Sequence, residues 1–215
     1  MSTTVSEKRV KPLFRGRLHQ VATFVAVPAG LVLIWHAHDA AGKVGAAIYG
    51  LTLVGLFGVS STYHVHHWSP SARHLMRRLD HSMIYVFIAG TYTPLCLAVL
   101  TGALAPTLFV AVWAGALLGV VLQFQPRWSL PRTGSLLYIG LGWLALVGLP
   151  QLVTGLGRPE LALLVAGGVV YTLGAVVLSV HWPDPVTHVF GYHEVWHLMV
   201  VIACCCHYAL LWHVL

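Results

Sequence analysis

Acidic side chains are scarce in this sequence: only six Asp and Glu residues occur among 215, and charged residues of all kinds make up 8%. A soluble domain carries roughly 25% charged residues. Hydrophobic residues make up 58% of the chain, and its mean hydropathy is +0.79. This composition argues against a soluble domain and predicts an integral membrane protein.

Cysteine is scarce as well. The four cysteines are Cys96 and the consecutive Cys204, Cys205 and Cys206. Three adjacent side chains on a helix point in three directions, so they cannot jointly hold one ion, and we interpret them as small packing residues. No disulfide framework is predicted. The sequence also lacks a basic patch interleaved with aromatic residues, which argues against a nucleic-acid partner.

Long apolar stretches dominate the chain. About 20 mostly apolar residues cross the hydrocarbon core of a bilayer, and seven such stretches are separated by short polar breaks. A basic tail before an apolar run also fits a cleaved signal peptide, but the length of the tail and the six later stretches favour a retained helix. The predicted fold is all-α and polytopic, with a basic cytoplasmic tail over 1–19 and one seven-helix membrane domain over 20–215. The predicted spans are 20–37, 44–65, 82–101, 103–124, 134–153, 160–181 and 190–214.

Basic residues are concentrated on one side of the predicted bundle. Cytoplasmic loops collect Lys and Arg, and an inside N-terminus leaves only Lys43 and Arg158 in the outside loops. We therefore predict a multi-pass protein of the plasma or inner membrane, with its N-terminus inside and its C-terminus outside. The net charge of +6 predicts contacts with anionic lipid headgroups. The ten basic residues on the inside are Lys8, Arg9, Lys11, Arg15, Arg17, Arg73, Arg77, Arg78, Arg127 and Arg132.

Three polar clusters are predicted to meet at the cytoplasmic side. The second span ends near "SSTYHVHHW", the third begins at "LDHSM" and the seventh begins at "GYHEVWH". Because successive spans alternate in direction, these segments fall in one layer of the bundle. Ionisable groups inside a membrane are costly, so their convergence indicates a functional site.

The spacing of the histidines predicts a metal site in that layer. His193 and His197 are four residues apart and share one helix face, and His64 supplies a third imidazole. Zinc in catalytic sites commonly takes three protein ligands and a water molecule. Asp80 is the nearby acid, and Ser60 precedes His64 by one helical turn. Alternatively, Asp80 caps the third helix. The alternative for Ser60 is that its hydroxyl bonds to the backbone of its own helix.

The His-Glu-x-x-His pattern of residues 193–197 is also that of zinc peptidases. Glu194 would then be the general base, although it can equally be a polar residue at the start of the helix. No carboxylate follows His197, and His207 is about 15 Å further along a straight helix. The third ligand is therefore expected from another span.

These three clusters resemble the blocks of a known family. "SSTYHVHHWS", "RLDHSMIYVFIAGTYTP" and "FGYHEVWHLMVV" are similar, in order and spacing, to those of the hemolysin III group of the progestin and adipoQ receptor (PAQR) family. The resemblance extends from about residue 20 to the C-terminus. It implies seven helices, an inside N-terminus and a zinc ion near the cytoplasmic face.

The resemblance also implies roles for individual residues. In the adiponectin-receptor branch, three histidines hold the zinc ion, and an Asp and a Ser support its water. Carried over to this sequence, the metal ligands are His64, His193 and His197, and the supporting residues are Asp80 and Ser60. That branch and the related alkaline ceramidases hydrolyse ceramide amides, whereas bacterial members are linked to haemolysis and membrane homeostasis. The long N-terminal domain of the receptors has no counterpart here, which argues against a hormone-receptor role.

The function expected from the sequence is zinc-dependent hydrolysis of an amide or ester bond in a membrane lipid, as in the ceramidases, contributing to membrane homeostasis. Asp80 is the expected proton acceptor, and Ser60 is expected to hold the water or the oxyanion. One alternative is a non-enzymatic regulator of membrane fluidity, or a haemolytic protein, with a structural zinc ion. A weaker alternative is an intramembrane metalloprotease in which Glu194 is the base.

Overall fold

The computed structural model describes residues 12–125 and 131–215, and their regular secondary structure is helical. Seven helical segments are long and apolar enough to cross a membrane, as predicted. Four of the basic residues that were used for orientation, Lys8, Arg9, Lys11 and Arg127, lie outside the described residues. The helices are α1 (Arg17–His36), α2 (Ala40–Val65), α3 (Pro70–Ala98), α4 (Leu104–Phe124), α5 (Pro131–Gly142), a 3₁₀ helix (Trp143–Gly148), α6 (Leu149–Gly155), α7 (Arg158–Val180) and α8 (Tyr192–Val214).

Helices α2, α3 and α8 form the centre of the bundle. Their most apolar windows are 56, 61 and 44% buried, whereas none of the other candidate spans exceeds 22%. Small residues allow the central helices to approach closely: a Cβ on Gly90 of α3 would lie 2.1 Å from the Oγ1 of Thr52 on α2. Large apolar side chains such as Phe24 and Trp35 point outwards and are 73 and 82% exposed. An apolar exterior of this kind suits contact with lipid chains.

The third helix begins earlier than the predicted span. Pro70 is its first residue, and the Ser69 side chain accepts a hydrogen bond from the backbone N–H of Ala72 at 3.4 Å. Proline is well suited to the first helical turn, where its missing N–H leaves no bond unmade. The sequence prediction began at residue 82 because apolarity marks the part of a helix that crosses the bilayer. The polar turns of α3 before that point are helical as well.

The fifth span is broken, whereas a single helix was expected over 134–153. The side chain of Tyr92, on α3, enters the break: its hydroxyl accepts the backbone N–H of Ala145 at 2.7 Å and donates to the carbonyl of Gly142. A side chain that inserts into the backbone hydrogen-bond ladder interrupts the regular helix. The result is α5, the short 3₁₀ helix and α6 in succession.

The ends of the helices place the polar clusters together. Because neighbouring spans run in opposite directions, α2 ends where α1, α3 and α8 begin. We call this the histidine end of the bundle, defined by His64 near the end of α2 and His193 at the start of α8.

Candidate metal site

Three histidines meet at the histidine end of the bundle. One ring nitrogen from each of His64, His193 and His197 lies within 4.8 Å of the others. The Nε2 atoms of His64 and His193 are 3.2 Å apart. His64 and His197 are 8 and 2% exposed, so the cluster is largely shielded. The spacing argument thus correctly predicted that two ends of the chain converge here.

The dimensions of the cluster fit a divalent cation. Two imidazole nitrogens that bind one tetrahedral zinc ion at about 2.0–2.1 Å lie roughly 3.3–3.4 Å apart, close to the distance between His64 and His193. That pair alone could share an N–H···N hydrogen bond, but a third imidazole beside it makes a metal site the better fit. The buried Nδ1 of His197 has no hydrogen-bond partner among the described residues. Imidazole ligands suit zinc and several other transition metals.

Asp80 and Ser60 lie beside the histidines. The Oδ2 atom of Asp80 is 3.6 Å from the Nε2 of His64, and its side chain is 14% exposed. Ser60 is buried, close to the Asp80 carboxylate, and both residues line the same cavity. The alternative role of Asp80 as a helix cap is wrong, because Ser69 caps α3 eleven residues earlier. Asp80 is therefore a mid-helix carboxylate that faces the cluster.

Glu194 is engaged away from the cluster. One of its carboxylate oxygens, Oε1, accepts a hydrogen bond from the Nε of Arg15. The other, Oε2, accepts the backbone N–H of Gly191 at 2.9 Å and so caps the start of α8. Glu194 is completely buried. Of its two expected roles, the polar residue at the start of the helix agrees with these contacts.

The segment before α1 contributes contacts that the sequence did not predict. The N–H groups of Leu13 and Phe14 donate to the carbonyls of His188 and Val189 at 3.0 and 3.2 Å. These bonds hold the chain against the loop before α8. The sequence offered one weak signal for a turn in this segment, the glycine of "FRGR", where Gly16 lies between Arg15 and Arg17.

Gly16 and His19 contact the metal-site histidines themselves. Gly16 has a φ of +81°, and a Cβ built on it would lie 2.5 Å from the Cβ of His64. The ring of His19 stacks on the ring of His197, with centroids 3.9 Å apart and planes at 10°. Both residues therefore limit where the neighbouring imidazoles can sit.

A cavity of about 890 Å³ opens from the site. Ser60, Asp80, His193 and His197 line one part of it, and mainly apolar side chains line the remainder. Pockets of about 300–1,000 Å³ are typical of small-molecule sites. Thr91 and Tyr92 of α3 also line the cavity.

Comparison with known proteins shows the family of this chain. The chain matches the model of the family described as "Haemolysin-III related" over residues 8–208. It is 35% identical to "Hemolysin-3" of Bacillus cereus, over 85% of this chain and 82% of that protein. It is 30% identical to "Monocyte to macrophage differentiation factor" of Homo sapiens, over 88% of this chain and 79% of that protein. The chain therefore belongs to the haemolysin III group of the PAQR family.

Proposed function

We propose that this protein binds zinc through His64, His193 and His197 and hydrolyses an amide or ester bond of a membrane lipid. The observation that carries the proposal is a partly buried carboxylate, Asp80, 3.6 Å from one of three clustered imidazoles and beside a largely apolar cavity. We further propose that the protein lies in the cell membrane with its N-terminus inside, so that the histidine end faces the cytoplasm. A lipid would then reach the site from the inner leaflet.

The residues of the site divide the chemistry between them. His64, His193 and His197 would hold the zinc ion, which would supply Lewis-acid polarisation of the substrate carbonyl and of the attacking water. Asp80 accepts a proton from the attacking water and returns it to the leaving nitrogen or oxygen. Ser60 lies close to the Asp80 carboxylate and orients it. The cavity holds the apolar chain of the substrate away from water.

Two other functions are less well supported. A metalloprotease would need Glu194 as its base, but both carboxylate oxygens of Glu194 are occupied by Arg15 and Gly191. A structural zinc ion in a cytolytic or membrane-regulating protein agrees with the name "Hemolysin-3" of the bacterial relative. That function does not require a partly buried carboxylate beside the histidines or a cavity that opens from them.

Metal analysis tests the first part of the proposal. Purified wild-type protein should contain one zinc ion per chain, and His193→Ala should lose it. His213→Ala is the matched control, because His213 is also in α8 but near its far end. An equal metal content in wild type and His193→Ala would refute the site.

The chemistry is tested with Asp80→Asn. In detergent micelles that contain lipid amides or esters, this variant should keep its zinc and lose about 10²- to 10⁴-fold in turnover, the usual contribution of a general base. Glu194→Gln distinguishes this mechanism from that of a metalloprotease. The metalloprotease mechanism predicts that Glu194→Gln abolishes hydrolysis and that Asp80→Asn does not. Full turnover by Asp80→Asn would refute the mechanism while leaving the metal site in place.

A further inference from the structure

Four basic side chains of α3 line the mouth of the cavity beside the metal site. They are His74, Arg77, Arg78 and His81, and we call them the basic rim. His74 precedes the adjacent Arg77 and Arg78 by three and four residues, and His81 follows them by four and three, so all four lie on one side of the helix. Asp80 lies within one turn of Arg77 and Arg78, so the rim is next to the proposed reacting groups. Gln123 and Gln125, at the end of α4, add further polar groups to the cavity wall.

The two arginines of the rim have no carboxylate partner among the described residues. The partly buried acid nearest in sequence, Asp80, is paired with His64 and His81. Glu194 is paired with Arg15. The guanidinium of Arg78 lies 5.7 Å from the ring centroid of Phe124, which holds it by a cation–π contact rather than by an anion. Positive charge at the cavity mouth is therefore left for a ligand to neutralise.

The other described acids are engaged elsewhere. Asp39 caps α2 through the N–H of Gly42, and Glu160 is in the first turn of α7, both at the opposite end of the bundle. Asp184 accepts the N–H of Tyr192 at 3.0 Å. None of these three residues lines the cavity.

The rest of the cavity is apolar. Ile84, Ile88, Leu95 and Leu164 are among the side chains of its walls. A ligand that fits both regions has an apolar tail and an anionic headgroup. Arginine binds carboxylates and phosphates through two parallel N–H groups, and phosphate is the anion common to the headgroups of anionic membrane lipids.

We propose that the cavity binds a lipid with a phosphate headgroup, with its acyl chain among the apolar walls and its phosphate on Arg77 and Arg78. If the protein is the hydrolase proposed above, the substrate class is an acyl ester of an anionic glycerolipid; this part of the proposal rests on the proposed function. Such an ester lies close to the headgroup, and a phosphate on the rim brings it beside Asp80. Neutral ceramides lack the charge that the rim would bind.

Arginines near a membrane surface have a second explanation, since cytoplasmic ends of spans collect basic residues. Arg73 distinguishes a specific headgroup site from this general attraction to the membrane surface. It is exposed on α3, one turn before Arg77, and does not line the cavity. A general surface effect depends on Arg73 as much as on the rim arginines, whereas a headgroup site does not.

Binding of two matched lipids tests the proposal. The probes are oleoyl lysophosphatidic acid and monooleoylglycerol, which share the acyl chain and glycerol and differ in the phosphate. Binding is measured by the tryptophan fluorescence of purified full-length protein in neutral detergent, with Trp143 and Trp196 as cavity-lining reporters. All variants carry Asp80→Asn, so that hydrolysis cannot consume the probe. Their zinc content and thermal unfolding are compared first, so that only folded variants are scored.

We expect Arg77→Gln with Arg78→Gln to weaken binding of the phosphate lipid about tenfold or more, since charged hydrogen bonds are lost. Binding of monooleoylglycerol should stay unchanged, and Arg73→Gln should match its parent with both lipids. Equal affinity for the two lipids, an equal loss in Arg73→Gln, or displacement by inorganic phosphate at the same concentration as the lipid would each overturn the proposal. Absence of turnover in wild type would refute the hydrolase and leave these binding results standing.

Discussion

Arg15 and Glu194 form an ion pair between the two ends of the chain, separated by 179 positions in the sequence. Glu194 is fully buried, and the Arg15 side chain is 20% exposed. The pair joins the segment before α1 to the first turn of α8, next to His193 of the histidine cluster. It therefore fixes the relative position of two elements that both contact the histidine cluster.

The two single substitutions that break this ion pair should lower the stability of the protein by different amounts. Arg15→Ala leaves a completely buried carboxylate without its cation, and we expect a loss of about 3 kcal/mol in the free energy of unfolding. Glu194→Gln should cost less, because its amide oxygen can still accept the N–H of Gly191 and the partly exposed Arg15 can reach water. Titration with a denaturing detergent measures both losses.

The double variant completes the thermodynamic cycle. Arg15→Ala with Glu194→Gln should be more stable than Arg15→Ala alone, because no unpaired charge is left buried. Equal costs for the two single changes, with simple additivity in the double variant, would show that the ion pair contributes nothing of its own.

Gly16 should be required for correct placement of His64. Alanine at this position is strained by the φ of +81° and would also collide with the Cβ of His64. We expect Gly16→Ala to weaken zinc binding about tenfold or more, the scale seen when residues that orient metal ligands are lost. Competition with a chelator of known affinity measures the change.

Gly102 supplies the control for backbone strain. It has a φ of +61°, but a Cβ there would meet nothing within 4 Å. Gly102→Ala should lower stability and leave zinc affinity unchanged. A similar loss of zinc affinity in both variants would mean that strain, rather than the collision with His64, is responsible.

The histidine cluster could be predicted because it depends only on the spacing of residues within one helix and on the order of the spans. His193 and His197 share a helix face through a four-residue spacing, and span order alone brings His64 to the same end. The alternative role of Asp80 as a helix cap was wrong because hydropathy does not show where α3 begins. Hydropathy placed the start of the third span near residue 82, whereas the polar turns from Pro70 onwards are helical too.

Other contacts between distant elements could not be predicted from the sequence. Nothing in the tail sequence identifies Glu194 as the partner of Arg15, and stacking of His19 on His197 depends on how α1 packs against α8. The break in the fifth span likewise depends on Tyr92 from another helix. Such pairs require tertiary structure, because propensity and periodicity describe only one element at a time.

The hydroxyl of Tyr92 should stabilise that break. Tyr92→Phe removes the acceptor of the Ala145 N–H and the donor to Gly142, and we expect a loss of about 1–3 kcal/mol. The backbone N–H of Ala145 should exchange faster with deuterium. Tyr208→Phe is the control, since its hydroxyl makes one bond, to the carbonyl of Ala29. Unchanged exchange at Ala145 in Tyr92→Phe would show that the break has another cause.

The stacked ring of His19 should hold His197 in place for the metal. Its role is tested by comparing His19→Phe, which keeps an aromatic ring in contact with His197, and His19→Ala, which removes it. We expect His19→Ala to weaken zinc binding by about tenfold and His19→Phe to retain most of the affinity, because ring packing rather than a nitrogen atom orients His197. Chelator competition on the two purified variants measures this. Equal loss of zinc affinity in both would instead indicate that a ring nitrogen of His19 is needed, and wild-type affinity in both would remove His19 from the site.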